Sequence, residues 1–543
     1  MAIPNLLFAV ALSVALGSGP FNTALAISFA GTPSTMRIMR STVLSIKSND
    51  YVEAAIATGS KNMRALLKHV LPNAVALLIV NLTLHIGTNI MAISGLSFIG
   101  LGVYPPTPEW GSILNSGRPY IRDFWPLIIF PAMFIALNGY KILDLTRAYA
   151  GPYATMLLAD MGATIIKIEP PEGDPNRQLG PFLNDEDKDM GLGGFYSSIN
   201  RNKRSIALNL KKPDAQKIAQ QLATECDAMI FNFSTPKILE KYNLDYDTIA
   251  KLNPRIVYVS ISGYGTNRIV PSLFEGKPTI DMMMQAESGT LSVTGAPTGE
   301  VYKVGPGIGD TYTGTVAIVA MLAALLKAKE TGKGQFVDIA MLDSMVMLSE
   351  RIIYQYSYTG ISPGPIGNRH PLQAPYSVYN TNDGSIVMAA FPDRYWDKLV
   401  NVLDIDILRT DPRFTTREAR LINQDALDVI ITEWTSKRNK KEAMELLDGA
   451  GCLASPVNVA GDLFTNEHLR KREMLVEVEG HPITGQKVEI TGSPFKFSDT
   501  PVRIYNRAPL NGEDSCSILE QLGYSEEEIA KMISDGSVIF NHI

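Results

Sequence analysis

The character of the sequence changes once, at about Asn138, and this break limits the possible folds more than any single motif does. The first 138 residues hold eight Lys/Arg against four Asp/Glu, whereas the 405 that follow hold 41 against 51. From Leu71 to Pro108 there is no charged residue, and the run Ala74 to Gly102 exceeds the roughly 20 apolar residues that a spanning helix needs. An earlier apolar stretch, Ile3 to Ala30, is interrupted by Gly17-Ser18-Gly19-Pro20. It lacks a basic leader and a clear cleavage site, so it does not read as a signal peptide. Arg37, Arg40, Lys47, Lys61, Arg64 and Lys68 lie between these blocks, which assigns that loop to the cytoplasmic side. The last apolar run, Phe124 to Leu137, has 14 residues. As a helix it spans ~21 Å, short of the ~30 Å hydrocarbon core.

After Asn138 the pattern is that of an α/β protein. KILDL (141–145) reads as a strand, PYATMLLADMGA as a helix closing at Gly162, and TIIKIEP as the next strand. SIALNL, DAQKIAQQLATECD and AMIFNF repeat the cycle before RIVYVSISGYG. Helices of this length between strands predict a Rossmann-like parallel sheet covered on both faces. No GxGxxG follows the first strand, so nicotinamide binding is unsupported. A net charge of −10 in this part gives no preference for nucleic acid. Cys226, Cys452 and Cys516 have no CxxC or Cys/His spacing, which argues against a disulfide framework and a structural zinc and fits a reducing, cytosolic setting.

Two resemblances carry the functional reading. YVEAAIATGSKNMRALLKHVLPN (51–73) resembles the EAA coupling loop of binding-protein-dependent ABC transporter permeases of the dipeptide/oligopeptide type, and GLSFIGLGVYPPTPEWGSIL continues the likeness. The resemblance covers only the end of such a permease. It implies a membrane fragment at 1–138 and docking of an ATPase subunit on the EAA loop, although the earlier membrane helices that a transport path requires are absent.

From about Asn138 to the end, ILDLTRAYAGPYATMLLADMGATIIKIEPPEGDPNR, NRNKRSIALNL, GPGIGDTYTGTVAIVAMLAALLKAKETGKGQFVDIAML and SPFKFSDTPVRIYNRAPLNGED resemble the family III CoA-transferases. That resemblance implies CoA passed from an acyl-CoA thioester to a small carboxylic acid through an enzyme aspartate, with no metal and no tightly bound cofactor. By matching motif the nucleophile is Asp310. Its neighbours agree in kind: Gly305, Gly307 and Gly309 permit close approach, and a strong helix follows, whose N-terminus is expected to stabilise the anion. On those features alone a plain helix N-cap is the likelier role. CoA contacts carried over by motif are Ala150, Leu208, Lys211, Asn232, Phe233 and Lys241, the last standing where an Arg is usual.

The departures bear on substrate. Formyl-CoA transferases place a Gln where this chain has Tyr149 and a basic residue where it has Pro170, and PIGNRHPLQAPY (365–376) replaces their glycine-rich lid. An oxalate-specific enzyme is disfavoured, the succinyl-CoA or carnitine branch is favoured, and His370 reads as structural. A related branch racemises 2-methylacyl-CoA esters with a His before the Asp281 position; Ile280 stands there, which removes one proton-transfer group.

The expected organisation is a permease fragment at 1–138, a large domain at 139–360, a smaller α/β domain at 361–465, and C-terminal elements at 466–543 returning to the large domain, in a homodimer of the family's interlocked type. The location follows as the inner membrane with the enzyme part cytoplasmic, or cytoplasmic if the fragment is an artefact. The rival readings are a transport component with an incidental enzyme domain, and a joining of neighbouring reading frames without joint function. The junction between FPAMFIALN and GYKILDL, which has no Gly/Ser/Pro-rich linker, favours the latter.

Overall fold

The computed structural model describes residues 139–497 and 504–540, with Val502 and seven positions between Asn22 and Met36. The apolar runs before Asn138 and the EAA loop at 51–73 lie outside the described residues. Two compact units divide the chain: 1–138 with 495–502, and 139–494 with 503–543. The second unit holds every strand among the described residues.

Its strands and helices alternate from the start: β1 (Lys141–Asp144), α1 (Ala150–Asp160), β2 (Thr164–Glu169), β3 (Arg204–Leu208), α2 (Pro213–Glu225), β4 (Ala228–Phe231), β5 (Val257–Ser262), α3 (Asp281–Glu287), α4 (Ile308–Thr331) and β6 (Gln335–Ala340). Every residue of β4 and β5 is buried, as apolar runs covered on both faces require. In α2 the buried residues Ala215, Ile218, Ala219, Leu222 and Ala223 recur at helical spacing and form one stripe against the sheet. The last strand among the described residues, β12 (Val538–Ile539), joins the same sheet, whose order is β12-β3-β2-β1-β4-β5-β6. All pairs are parallel except that of β12, which runs antiparallel to β3 and covers that edge. A Rossmann-like order of this kind reverses direction between β1 and β4, and the crevice at their carboxyl ends is where such sheets hold ligands.

A separate antiparallel sheet of three strands, β7 (Tyr376–Asn380), β8 (Ser385–Ala389) and β9 (Leu453–Pro456), has its own core of Trp396, Leu399, Phe414, Leu427, Ile431, Trp434 and Leu447. A hairpin of β10 (Leu475–Glu479) and β11 (Lys487–Thr491) precedes the C-terminal return to the main sheet.

Among the described residues every strand of the main sheet lies after residue 140, with β1 beginning at Lys141 and pairing with β2 and β4. A protein beginning at Leu137 is therefore expected to be soluble, folded and as active as the full chain. Comparing its circular dichroism and specific activity with those of the full chain in detergent checks this; an unfolded truncated protein beside an active full chain would move the boundary.

Candidate active site

The turn between β1 and α1 is built by a buried polar network. Asp144 accepts from the Thr146 N–H at 2.8 Å and the Thr155 hydroxyl at 2.7 Å, and pairs with Lys203 Nζ at 3.1 Å. Burial would push its carboxyl up, but Lys203 and Lys167 outweigh that and hold it below the usual carboxylate range. Lys167 Nζ donates to the Thr146 carbonyl at 2.6 Å. From the facing loop, the Asn232 side chain accepts from the Arg147 N–H at 2.8 Å and donates to the Arg147 carbonyl. Asn232 therefore spans the switch point and fixes the turn.

The turn delivers the Ala150 N–H to Asp310. Asp310 is the third residue of α4; the N-cap is Gly307, so Asp310 does not cap its own helix, and its carboxylate faces the backbone N–H of Ala150, the first residue of α1, which favours its anion. The two helices approach closely because Gly314 has no side chain: a Cβ there would lie 2.7 Å from the Ala150 carbonyl oxygen. Asp281, at the start of α3, is the second carboxylate of the site. Its Oδ1 accepts from the Gly309 N–H at 2.6 Å and its Oδ2 from Gln285 at 2.7 Å, while Gln285 accepts from the Val304 N–H at 2.9 Å. A Cβ on Gly309 would sit 2.8 Å from Asp281 Oδ1, which explains that glycine.

Burial and the Asp281 charge push the Asp310 carboxyl up to about 6, against the Ala150 N–H that favours the anion. The sequence-based expectation of a helix-stabilised anion is corrected here. Desolvation and a like charge outweigh the Ala150 N–H, and the group is more basic than a free aspartate yet still ionised at neutral pH.

Beyond the turn lies a cavity of about 470 Å³ at the carboxyl ends of β1 to β4, lined by Thr146, Arg147, Glu169 and the loop from Pro170 to Pro175, with Leu208, Lys211 and Phe233 on the far wall. Of the residues carried over by motif, the structure brings Leu208, Lys211 and Phe233 to this cavity. Asn232 fixes the turn at its edge, and Ala150 serves Asp310 rather than the cavity. Lys241 is exposed beside Tyr242, a lining residue. Arg147, which sequence reasoning missed, is exposed over the Phe233 ring at 5.2 Å. Neither Arg147 nor Lys211 has an ion-pair partner among the described residues. His370 stacks on Tyr376 at 4.9 Å, and its Nδ1 accepts from the Leu372 N–H at 3.2 Å, a loop-shaping arrangement. Among the described residues no cluster of His, Cys, Asp or Glu has the form of a metal site.

Residues 137–515 match the family described as CoA-transferase family III, and residues 1–143 match the binding-protein-dependent transport system inner membrane component. The chain is 39% identical over 388 residues to the succinyl-CoA:mesaconate CoA-transferase of Haloarcula marismortui, covering 72% of this chain and 96% of that one. It is 34% identical over 390 residues to the succinate–glutarate CoA-transferase of Agrobacterium fabrum, covering 71% and 95%. Among solved structures, a CAIB/BAIF family protein from Brucella suis is similar with a TM-score of 0.65 and 32% identity, covering 71% of this chain and 99% of that one.

Proposed function

The chain belongs to CoA-transferase family III and moves CoA from an acyl-CoA to a carboxylic acid, and on that premise we propose that Asp310 carries the exchange as a covalent nucleophile. An Asp310 oxygen attacks the thioester carbonyl and expels the CoA thiolate, leaving a mixed anhydride. The thiolate then attacks the Asp310 carbonyl and releases the donor acid, which leaves an aspartyl-CoA thioester. The acceptor carboxylate attacks that thioester, and the returning thiolate takes the acceptor acyl group and restores Asp310. The observation that supports this reading is a half-buried carboxylate that faces the Ala150 N–H where two helices start, with Asp281 held on the adjoining Gly309 N–H.

The cavity at β1 to β4 is assigned to CoA. Arg147, Lys211 and Lys241 face its phosphates, Leu208 and Phe233 line the wall, and the chain of the cofactor passes the β1–α1 turn to reach Asp310. The acids are assigned to the short dicarboxylates, by analogy with the Haloarcula and Agrobacterium relatives. The enzyme works as a homodimer. Residues 1–138 tether it to the inner membrane with the α/β part in the cytoplasm and the EAA loop toward an ATPase subunit. The second reading, two reading frames joined without joint function, is favoured by the start of β1 at Lys141, directly after the last apolar run.

Because the nucleophile must be ionised, the transfer rate is expected to fall about tenfold per pH unit below about 6. Asp281→Asn removes a like charge and should move that limb to lower pH. Rates of CoA transfer between pH 4.5 and 8 measure both, and a flat profile down to pH 4.5 would count against Asp310 as the titrating group.

A further inference from the structure

Gly307, the N-cap of α4, has φ −71, a value open to any residue, so its missing side chain supplies space and not conformation. A Cβ there would meet Cε1 of Tyr149 at 3.1 Å and Oδ2 of Asp310 at 3.7 Å. The ring edge and the nucleophile therefore flank one small gap. The Tyr149 ring is held from behind by Tyr153 and Phe195, with centroids 6.0 and 5.3 Å away. Its phenol is half-buried and makes no hydrogen bond among the described residues. The preceding residue, Ala148, has φ 62, a left-handed conformation that a non-glycine residue holds only where its surroundings impose it. Burial, then Tyr153, Asp310 and Asp281, raise the phenol's pKa, so it remains a donor at the pH of the reaction.

We propose that this gap seats the reacting carbonyl group, and that the Tyr149 hydroxyl donates to the carbonyl oxygen as it becomes an oxyanion. The inference rests on Asp310 being the nucleophile. When an Asp310 oxygen bonds to the carbonyl carbon, the π pair moves onto the carbonyl oxygen, where the phenol binds it without giving up its proton. The pair returns as the C–S bond breaks and CoA leaves as the thiolate. The Ala150 N–H faces Asp310 itself and the Gly309 N–H is taken by Asp281, so a further donor is needed at the substrate oxygen, and two carboxylates otherwise make this corner hostile to developing negative charge.

The test uses the full chain and succinyl-CoA with a panel of short dicarboxylates. Tyr149→Phe is expected to lower kcat about a hundredfold while KM for acyl-CoA and the affinity for free CoA stay near wild type, since the lost bond forms only in the transition state. Gly307→Ala keeps the phenol but fills the gap, and should cut kcat/KM at least tenfold without weakening free CoA. If Tyr149→Phe is unstable, Tyr149→Gln, which keeps a donor, should be more active than Tyr149→Leu, which does not. A Tyr149→Phe enzyme within threefold of wild type, or a fully active Gly307→Ala enzyme, overturns the inference while leaving Asp310 as nucleophile. Absence of a CoA adduct on Asp310 in the wild-type enzyme during turnover would instead remove the reading on which it rests.

Discussion

Asp310→Asn is expected to abolish CoA transfer and at the same time to stabilise the protein at neutral pH. The loss follows from chemistry, because an amide cannot form the anhydride and the rate should drop by more than about 10⁴-fold. The gain follows from linkage. In the native protein burial and the Asp281 charge raise the Asp310 pKa to about 6, so the folded state binds the proton more tightly than the unfolded chain. Ionisation of Asp310 thus destabilises the fold as pH rises from about 4 to about 6, and the full penalty persists above that. Asn carries no charge and escapes it. The expected difference is roughly 1–3 kcal/mol at pH 8, vanishing near pH 4. Thermal midpoints of the two proteins at pH 4 and pH 8, with a transfer assay, measure both effects. Equal midpoints at pH 8 would mean that the site does not strain the carboxylate. Residual transfer above one part in a thousand would remove it as the nucleophile.

How much of this was legible in the sequence depends on the range of the cause. The strands β1, β2, β4 and β5 stand where apolar runs bounded by turn residues placed them, since burial on both faces is a local compositional demand. Asp310 was reached through its motif, while its residue physics suggested a cap. The cap is Gly307, and the carboxylate's partners are Ala150 and Asp281, 160 and 29 positions away along the chain. Three glycines signalled close approach in kind, but only the fold names Asp281 as what comes close to Gly309. The two residues of β12 are too few to show a period, yet they close the sheet edge. From Ile166 to Glu169 apolar and polar residues alternate, a pattern that usually marks one solvent-facing side. Here both sides are buried, and Lys167 and Glu169 point into a network of ions that no local pattern reveals.

That network carries the second large expectation. Arg177, 3% exposed, donates to Glu169 through Nε at 2.8 Å and Nη2 at 2.6 Å, and lies 3.8 Å above the Tyr196 ring. Glu169, 1% exposed, also accepts from the Ser205 hydroxyl at 2.8 Å and the Asp174 N–H at 3.0 Å. Burial alone would raise the Glu169 carboxyl, but Arg177, with help from Lys167 and Ser205, holds it down at about 2. Arg177→Met keeps most of the volume and leaves this carboxylate buried without its main partner. A loss of about 3–5 kcal/mol is expected, or on the order of 10 °C in thermal midpoint. The sign with pH follows from the depressed value. The stability that Glu169 contributes in the wild type is complete above the unfolded value of about 4.5 and is lost as pH falls through about 2, so the deficit of Arg177→Met should be largest at neutral pH and shrink in acid. Because Glu169 also holds the Asp174 N–H, and the loop from Pro170 to Pro175 lines the cavity assigned to CoA, the variant should bind CoA more weakly even where it remains folded. Chemical denaturation at pH 7 and pH 4, with calorimetric titration of CoA, separates the two effects. The double variant Arg177→Met with Glu169→Gln should recover part of the stability, since it removes the stranded charge. A single variant as stable as wild type at pH 7 would show that the pair adds nothing to the fold.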